Sequence, residues 1–179
     1  SCETPEMTYK KDIPKTILTY KLKIINMAEK QTLEQLKDKT FYVATGYSKN
    51  IQVINSENKS PSYVLAQKNV PNCIKAFDNL LLVTFFQDKT MNIVSLLDEQ
   101  LVKRMEFETN PDEIIVDYDK KIAYVSSPEG ASIYVINLET MTLSKQIKIN
   151  GMCEKLTLSE DGTKIFYFDK KTISTIYNV

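Results

Sequence analysis

The sequence predicts an all-β fold made of short strands joined by tight turns. Between Ile122 and Gly162, runs rich in β-branched and aromatic residues alternate with turn-forming residues, which is the pattern of successive strands. The pair Asp161-Gly162 supplies the positive φ that a tight turn requires. The same group of four runs recurs along the chain, so the sequence predicts a repeat protein.

The period of the repeat can be measured on two strands of each unit. The first strands lie 40, 42 and 43 residues apart and carry the pairs Tyr42-Val43, Leu82-Val83, Tyr124-Val125 and Tyr167-Phe168. The second strands lie 40, 42 and 40 residues apart and begin at Ile51, Met91, Ile133 and Ile173. A period near 40 with four strands per unit is typical of a β-propeller, because a single four-stranded sheet leaves both faces uncovered and needs neighbours packed around an axis. We expect Tyr42, Tyr124, Tyr134 and Tyr167 to pack between blades.

The repeat resembles a known family. Tyr-Val in the first strand, Val-Ile-Asn in the second, a Gly or Pro before the fourth, and the run from Leu158 to Tyr167 together resemble the YVTN-type, WD40-like β-propeller repeat over residues 41–179. The chain has no Trp, so the WD40 signature itself is absent, and its 4 Gly leave several turns without the usual residue. The resemblance implies a propeller of four-stranded antiparallel blades, with about four blades in this chain.

The repeat also predicts the domain organisation. Residues 1–15 are expected to be an extended or disordered lead-in, and residues 16–179 one propeller domain with repeats at about 41–79, 80–120, 121–163 and 164–179. The segment from Met27 to Asp38 suits either a short helix or a further strand.

The last unit contains only two strands, which leaves the closure of the propeller open. Strands around Met7 to Ile25 would complete this unit and give a closed four-bladed ring. The alternative is a partial propeller that another chain completes. The sequence favours neither.

Composition and charge exclude several classes of function. The 23 basic and 23 acidic residues balance, so there is no net positive field to attract nucleic acid. No apolar run approaches the roughly 18 residues that cross a bilayer. The absence of His removes the commonest general base and metal ligand. We therefore expect no catalytic residue, no metal and no cofactor, and the alternative of a propeller hydrolase or dehydrogenase lacks its usual residues.

Acidic residues recur where each fourth strand turns into the next first strand, at Asp78, Asp119 and Asp161. In propellers these turns share a face with the loop between the second and third strands, which here holds Glu139. A face that carries these carboxylates would bind a basic peptide or a cation. The alternative is that each aspartate only caps its own turn, which would give the same pattern. Tyr47 lies in a neighbouring loop and is predicted to be an exposed contact residue.

The three cysteines suggest an anchor and two buried thiols. Cys2 stands where a lipid-attached cysteine would follow signal cleavage, which would place the protein in the cell envelope or outside the cell; otherwise the compartment would be the cytoplasm. Cys73 and Cys153 follow Pro71 and Gly151 by two residues. They are predicted to be free thiols at the same blade position, too far apart to form a disulfide.

These observations lead to a hypothesis about function. We expect a non-catalytic β-propeller that binds a protein or peptide partner, without contacting nucleic acid and without spanning a membrane. The alternative is an exported lipoprotein, anchored at Cys2, that acts as a ligand-binding or sensor module.

Overall fold

The structure is a computed structural model that describes residues 23–26, 40–44, 48–55, 61–170 and 172–179. These residues form four antiparallel sheets, in each of which strands that follow one another in the chain are paired. The all-β prediction is therefore confirmed. The first sheet contains β1 (Lys23–Asn26), β2 (Thr40–Ala44), β3 (Asn50–Asn55) and β4 (Pro61–Ala66); the second contains β5 (Cys73–Phe77), β6 (Leu80–Phe85), β7 (Thr90–Ser95) and β8 (Leu101–Glu106). The third contains β9 (Ile114–Asp117), β10 (Ile122–Ser127), β11 (Ser132–Asn137) and β12 (Thr142–Lys148); the fourth contains β13 (Lys155–Leu158), β14 (Lys164–Asp169) and β15 (Thr172–Tyr177).

The sheets are offset by one strand from the units that were read from the sequence. The strand expected to end one unit, β5, is instead the first strand of the second sheet and pairs with β6. Only Asp78 and Asn79 separate these two strands, and so short a connection forces its flanking strands into an antiparallel hairpin. β9 and β13 are likewise first strands of a sheet, and each forms an antiparallel hairpin with the strand that follows it, through the turns 118–121 and 159–163.

The four sheets are arranged side by side through their first strands. Strand β5 lies beside both β1 and β9, and β13 lies beside β9. Apolar side chains fill the space between consecutive sheets in three clusters, whereas the fourth strands β8 and β12 are mostly exposed. This arrangement is propeller-like, with the first strand of each sheet innermost and the fourth outermost. The four tyrosines predicted to pack between sheets are all buried: Tyr42, Tyr124, Tyr134 and Tyr167.

The repeat extends to irregularities of the backbone. In three sheets the pairing of the third and fourth strands shifts register at one place, between Val53 and Ile54, between Ile93 and Val94, and between Val135 and Ile136. Because these shifts recur at the same place in each sheet, the units are equivalent residue by residue.

The pairing corrects the alignment of the last unit by one residue. Leu82 lies opposite Ile93, Tyr124 opposite Val135, and Phe166 opposite Thr175. The equivalent first-strand residues are therefore 82, 124 and 166, and the sequence alignment that matched Tyr167 with Tyr124 is wrong. A shift of one residue exchanges the two faces of a strand, so Tyr167 packs against the third sheet and Phe166 lies on the other face.

The sequence leaves open whether strands around Met7 to Ile25 complete the last unit, and the described residues answer this only for residues 23–25. Lys23–Asn26 pairs with Thr40–Ala44 as the innermost strand of the first sheet, so residues 23–25 do not complete the last one. The rest of the segment from Met7 to Ile25, the lead-in 1–15 and the segment 27–38 lie outside the described residues. The sheets that the structure describes form no closed ring. None of the described residues forms a helix with the length and apolarity needed to cross a bilayer.

Candidate functional site

One end of the sheets collects the acidic turns. The turns between first and second strands and those between third and fourth strands lie at this end, which we call the turn face. Backbone hydrogen bonds join the two kinds of turn, from Leu138 N to the Lys121 carbonyl (2.9 Å) and from Leu96 N to the Asn79 carbonyl (2.7 Å). The turn face carries four of the residues singled out from the sequence: Asp78, Asp119, Glu139 and Asp161. Tyr47 lies outside the described residues.

A cleft of about 190 Å³ separates the turn 118–121 of the third sheet from the turn 159–163 of the fourth. It brings together two of the predicted residues, Asp119 and Asp161, and adds two further carboxylates and one lysine. Its lining residues are Val116, Asp117, Tyr118, Asp119, Lys120, Leu158, Glu160, Asp161 and Gly162. The Lys120 ammonium spans the two turns by donating to the carbonyl oxygens of Gly162 (2.6 Å) and Val179 (3.1 Å).

The carboxylate that shapes this cleft is Asp117, which was not identified from the sequence. Its Oδ1 accepts hydrogen bonds from the backbone N–H groups of Asp119 (3.1 Å) and Lys120 (3.0 Å), so the buried Asp117, not Asp119, caps the turn. A Cβ at position 162 would lie 2.6 Å from Asp117 Oδ2. Gly162 is therefore needed both for this close approach and for its φ of 69°, as its position in the turn predicted.

Asp161 is held in a fixed position. Its Oδ1 accepts hydrogen bonds from the hydroxyls of Ser159 (2.7 Å) and Thr163 (2.7 Å) and from the Thr163 N–H (3.0 Å). These bonds, led by that from Ser159, hold the pKa of the exposed Asp161 carboxyl well below its usual range. The same bonds fix where this negative charge lies at the mouth of the cleft.

Glu139 and Asp78 lie around a lysine of the neighbouring turn. Lys121 Nζ lies 2.9 Å from Glu139 Oε1, and both side chains are exposed. The hydrogen bond to Glu139, supported by the charge of Asp78, raises the pKa of Lys121. An exposed pair of this kind contributes little stability, so Glu139 is partly neutralised and the cleft beside Asp119 is the more negative part of the turn face.

The other end of the sheets holds polar groups that serve the packing. The Tyr134 hydroxyl lies 2.8 Å from Thr109 Oγ1 and accepts a hydrogen bond from Thr109 N (3.1 Å). Glu113 Oε2 accepts a hydrogen bond from Leu156 N (2.8 Å) and so joins the third sheet to the fourth. Burial raises the pKa of the Glu113 carboxyl.

The structure divides the two described cysteines into one disulfide and one free thiol. Cys73 is disulfide-bonded, so its prediction as a free thiol is wrong. Cys153 is free and buried, as predicted. Burial, with the charges of Glu113, Asp112 and Asp169, raises the pKa of the Cys153 thiol to about 12. A thiol with so high a pKa is a poor nucleophile. Cys2 lies outside the described residues.

Cys73 and Cys153 also differ in blade position. The N–H of Asn72 donates to the carbonyl of Thr84, and that of Glu154 to the carbonyl of Phe168. Asn72 and Glu154 are therefore equivalent, which places Cys153 at the position of Pro71 and two residues away from that of Cys73. The prediction of a shared position is wrong because it treated Gly151 as equivalent to Pro71. The segment between Gly151 and β13 is two residues longer than the segment between Pro71 and β5.

One face of the last sheet is not covered by any other sheet that the structure describes. Its side chains alternate: Leu156, Ile165 and Tyr167 pack against the third sheet, and the residues between them point away from it. We call this second side the open face; a hollow of about 470 Å³ lies over it. Its residues are Lys155, Thr157, Lys164, Phe166, Phe168, Ile173, Thr175 and Tyr177. Ile173 and Tyr177 are 72% and 65% exposed.

The described residues present one charged surface and one apolar surface that could bind a ligand. Among these residues, no three Cys, Asp or Glu side chains are grouped so that they could hold a metal ion. The raised pKa of the buried Cys153 thiol disfavours the thiolate. The two surfaces that remain are the acidic cleft and the open face.

Comparison with known proteins gives a fold and no family. No protein-family model matches the chain, and a search of the curated proteins finds no match. Among solved structures, it is similar to a chain of the Kuenenia stuttgartiensis hydrazine synthase, with a TM-score of 0.69 and 16% identity over 78% of this chain and 43% of that chain. This chain thus spans less than half of that one. At this identity the likeness shows the fold alone.

Proposed function

We propose that this chain is a non-catalytic β-propeller module that binds a basic segment of a protein or peptide partner in the acidic cleft of its turn face. The observation that carries the proposal is the cleft itself. It places Asp119, Glu160 and Asp161 around one opening of about 190 Å³, and the Asp161 carboxylate is held in position by hydrogen bonds from Ser159 and Thr163.

The charges of the cleft select the class of ligand. Four carboxylates and one lysine line the cleft; Lys120 contacts the carbonyl oxygens of Gly162 and Val179 and lies 4.0 Å from Oδ2 of the buried Asp117, so Asp119, Glu160 and Asp161 are the carboxylates open to a partner. A lysine or arginine side chain from a partner would meet carboxylates that are not all neutralised within the protein. Because these charges are exposed, binding should weaken as the salt concentration rises.

The repeat geometry supports the propeller assignment. Successive sheets meet through their first strands and bury apolar clusters between them, as blades of a propeller do. We propose that these sheets are blades of a propeller of the YVTN-like type.

A charge reversal at the cleft tests the proposed function. Asp119→Lys and Glu160→Lys change exposed side chains and are expected to leave the fold intact. A fluorescently labelled peptide of eight residues that alternates lysine and glycine is the probe, and its anisotropy measures binding. We expect each variant to weaken binding at least about tenfold at low salt, the effect of losing roughly 1.4 kcal/mol.

Glu129→Lys is the matched control, because Glu129 is an exposed residue of a turn at the other end of the sheets. It makes the same change in net charge. If Glu129→Lys weakens binding as much as Glu160→Lys does, the probe responds to net charge alone and the cleft is not its site. If the wild-type chain does not bind the probe, the proposed function is wrong.

A further inference from the structure

We propose that Asn150 and Gly151, in the connection between β12 and β13, form a site of spontaneous deamidation that converts the Asn150 side chain into a carboxylate without an enzyme. They are the only Asn-Gly pair in the sequence. The pair lies at the end of the sheets opposite the turn face, so this modification is independent of the function proposed for the cleft.

The reaction joins the side chain of Asn150 to the backbone nitrogen of the next residue. The Gly151 nitrogen forms a bond to Cγ of Asn150, the C–N bond of the side-chain amide breaks, and the –NH2 group leaves as ammonia with the proton that the Gly151 nitrogen loses. Water then opens the resulting five-membered succinimide on either side of its nitrogen, which gives aspartate or isoaspartate at position 150. One water is consumed, one ammonia is released, and nothing is oxidised or reduced. Glycine favours the ring closure because it has no Cβ to crowd the attacking nitrogen.

The first argument is that both reacting groups are accessible. Asn150 and Gly151 are exposed and lie in a bend. Neither the Asn150 side chain nor the Gly151 N–H makes a hydrogen bond to any residue that the structure describes. The backbone is held on each side of the pair, where the N–H groups of Ile149 and Glu154 each donate to a backbone carbonyl (2.9 Å). The two groups that must meet are therefore the ones left without hydrogen bonds.

The second argument is a contrast with Asp161-Gly162, a pair that could close the same kind of ring. Both glycines have a positive φ, 86° at Gly151 and 69° at Gly162. The Gly162 N–H, however, donates to the Ser159 carbonyl (2.9 Å), and Oδ1 of Asp161 accepts hydrogen bonds from two hydroxyls and one backbone N–H. Both groups that would form the ring are already bound, so we expect this second pair to be stable.

The surroundings of the pair determine what the modification changes. A Cβ at position 151 would collide with Oδ2 of Asp169, so a carboxylate at position 150 adds a second negative charge close to the first. The Asn150 carbonyl accepts a hydrogen bond from the Tyr167 hydroxyl (3.3 Å), and an isoaspartate, which adds one carbon atom to the backbone, would displace that carbonyl. Cys153, two residues beyond Gly151, is fully buried against the third sheet. We therefore expect the modification to loosen the approach to β13 and to expose Cys153.

Incubation of the full chain at pH 8, followed by mass spectrometry of its peptides, tests the site. The reference is Asn137, whose side chain accepts hydrogen bonds from the N–H groups of Glu139 and Thr140. We expect the Asn150 peptide to exchange its amide for an acid at least about tenfold faster than the Asn137 peptide. Because the formal net charge of the chain is 0, isoelectric focusing should show a more acidic form that accumulates with time.

Asn150→Gln is the matched control variant. It keeps a side-chain amide, but its extra methylene would require a six-membered ring, which closes more slowly. We expect no acidic form to accumulate in this variant over the same time. A chromogenic disulfide reagent should modify Cys153 at least about tenfold faster in the aged wild-type chain than in the fresh one, and should stay slow in aged Asn150→Gln. Gly151→Ala is unsuitable, since its Cβ would collide with Asp169.

Three results would overturn the proposal. The first is equal deamidation of Asn150 and Asn137, and the second is an acidic form that accumulates as fast in Asn150→Gln as in the wild-type chain. The third concerns the consequence of the modification: if position 150 is converted and Cys153 still reacts as slowly as before, the approach to β13 is not loosened.

Discussion

Ile133 and Ile173 occupy the same position in two consecutive sheets and have opposite surroundings. Ile133 lies opposite Ser126 and is fully buried, whereas Ile173 lies opposite Phe168 and is 72% exposed. The residue type, the strand and the register are the same, so the difference comes only from what covers them. The fourth sheet covers Ile133, and no described residue does the same for Ile173.

This contrast shows that a strand in a stack of sheets is buried or exposed according to the sheet that packs against it. We call the packed space between two consecutive sheets a junction. The junction between the third and fourth sheets contains Tyr124, Cys153 and Ile165, all buried. The open face repeats the apolar pattern of such a junction without a covering sheet. Each strand therefore carries the sequence of an interior element, and its position in the stack decides whether that sequence is buried.

The largest expected effect concerns thiol reactivity on the two sides of the last sheet. Cys153 lies in the covered junction and its pKa is raised from 9.0 to about 12, which lowers the thiolate fraction about a thousandfold. A cysteine introduced by Ile173→Cys lies on the open face. We expect a chromogenic disulfide reagent at pH 8 to modify the new thiol at least a thousandfold faster than Cys153.

Cys73 is an internal control for this experiment. Being disulfide-bonded, it should react only after reduction. Slow modification of the Ile173→Cys thiol would mean that the open face is covered in solution. Rapid modification of Cys153 would mean that the junction opens.

The next effect is on stability. Ile133→Ala removes a fully buried side chain and is expected to lower the free energy of unfolding by about 2–5 kcal/mol. Ile173→Ala removes a mostly exposed one and is expected to change it by less than about 0.5 kcal/mol. Urea unfolding followed by circular dichroism measures both. Equal losses would show that the two positions are equally covered, and the contrast would not hold.

Two buried tyrosines differ in whether the hydroxyl is hydrogen-bonded, and this difference predicts opposite changes in stability. The Tyr134 hydroxyl is hydrogen-bonded to Thr109, and Tyr134→Phe is expected to cost about 1 kcal/mol. The Tyr124 hydroxyl is buried with no hydrogen-bond partner among the described residues. Tyr124→Phe is therefore expected to raise the stability by about 1 kcal/mol. Thermal unfolding of the two variants, which remove the same atom, should shift in opposite directions.

Periodicity predicted the strands well and their partners less well. The runs at Ile133 and Met91 were recognised because a strand pattern is local. The assignment of β5, β9 and β13 to the following sheet was missed, since pairing depends on turn length, here two residues after β5. The one-residue error at Tyr167 arose because the turn before β14 is longer than that before β10, and a count along the sequence cannot place the extra residue.

The candidate site was predicted only in part for a related reason. Asp119 and Asp161 were found because they recur at the turns. Asp117 was missed, although an Asp at the last position of a strand is a recognisable turn cap, as Asn137 shows by accepting hydrogen bonds from the N–H groups of Glu139 and Thr140. The open face was not predicted, because exposure at Ile173 depends on an absent neighbour rather than on any local pattern.

The smallest effect should come from Glu113, whose carboxylate crosses the covered junction to accept a hydrogen bond from Leu156 N. Burial raises the pKa of Glu113 above its ordinary value of 4.5, so the folded state binds a proton more tightly than the unfolded chain does. The Glu113 contribution to stability therefore falls as the pH rises from 4.5 through the folded pKa.

Glu113→Gln keeps an oxygen that can accept the hydrogen bond and does not titrate. The variant should be close to the wild-type chain in melting temperature at pH 4 and more stable at pH 7, with the difference growing between these values. A difference that is constant with pH would mean that Glu113 is as well solvated in the folded chain as in the unfolded one. The junction beside Leu156 would then be open to water, which would contradict the description of it as covered, in contrast to the open face.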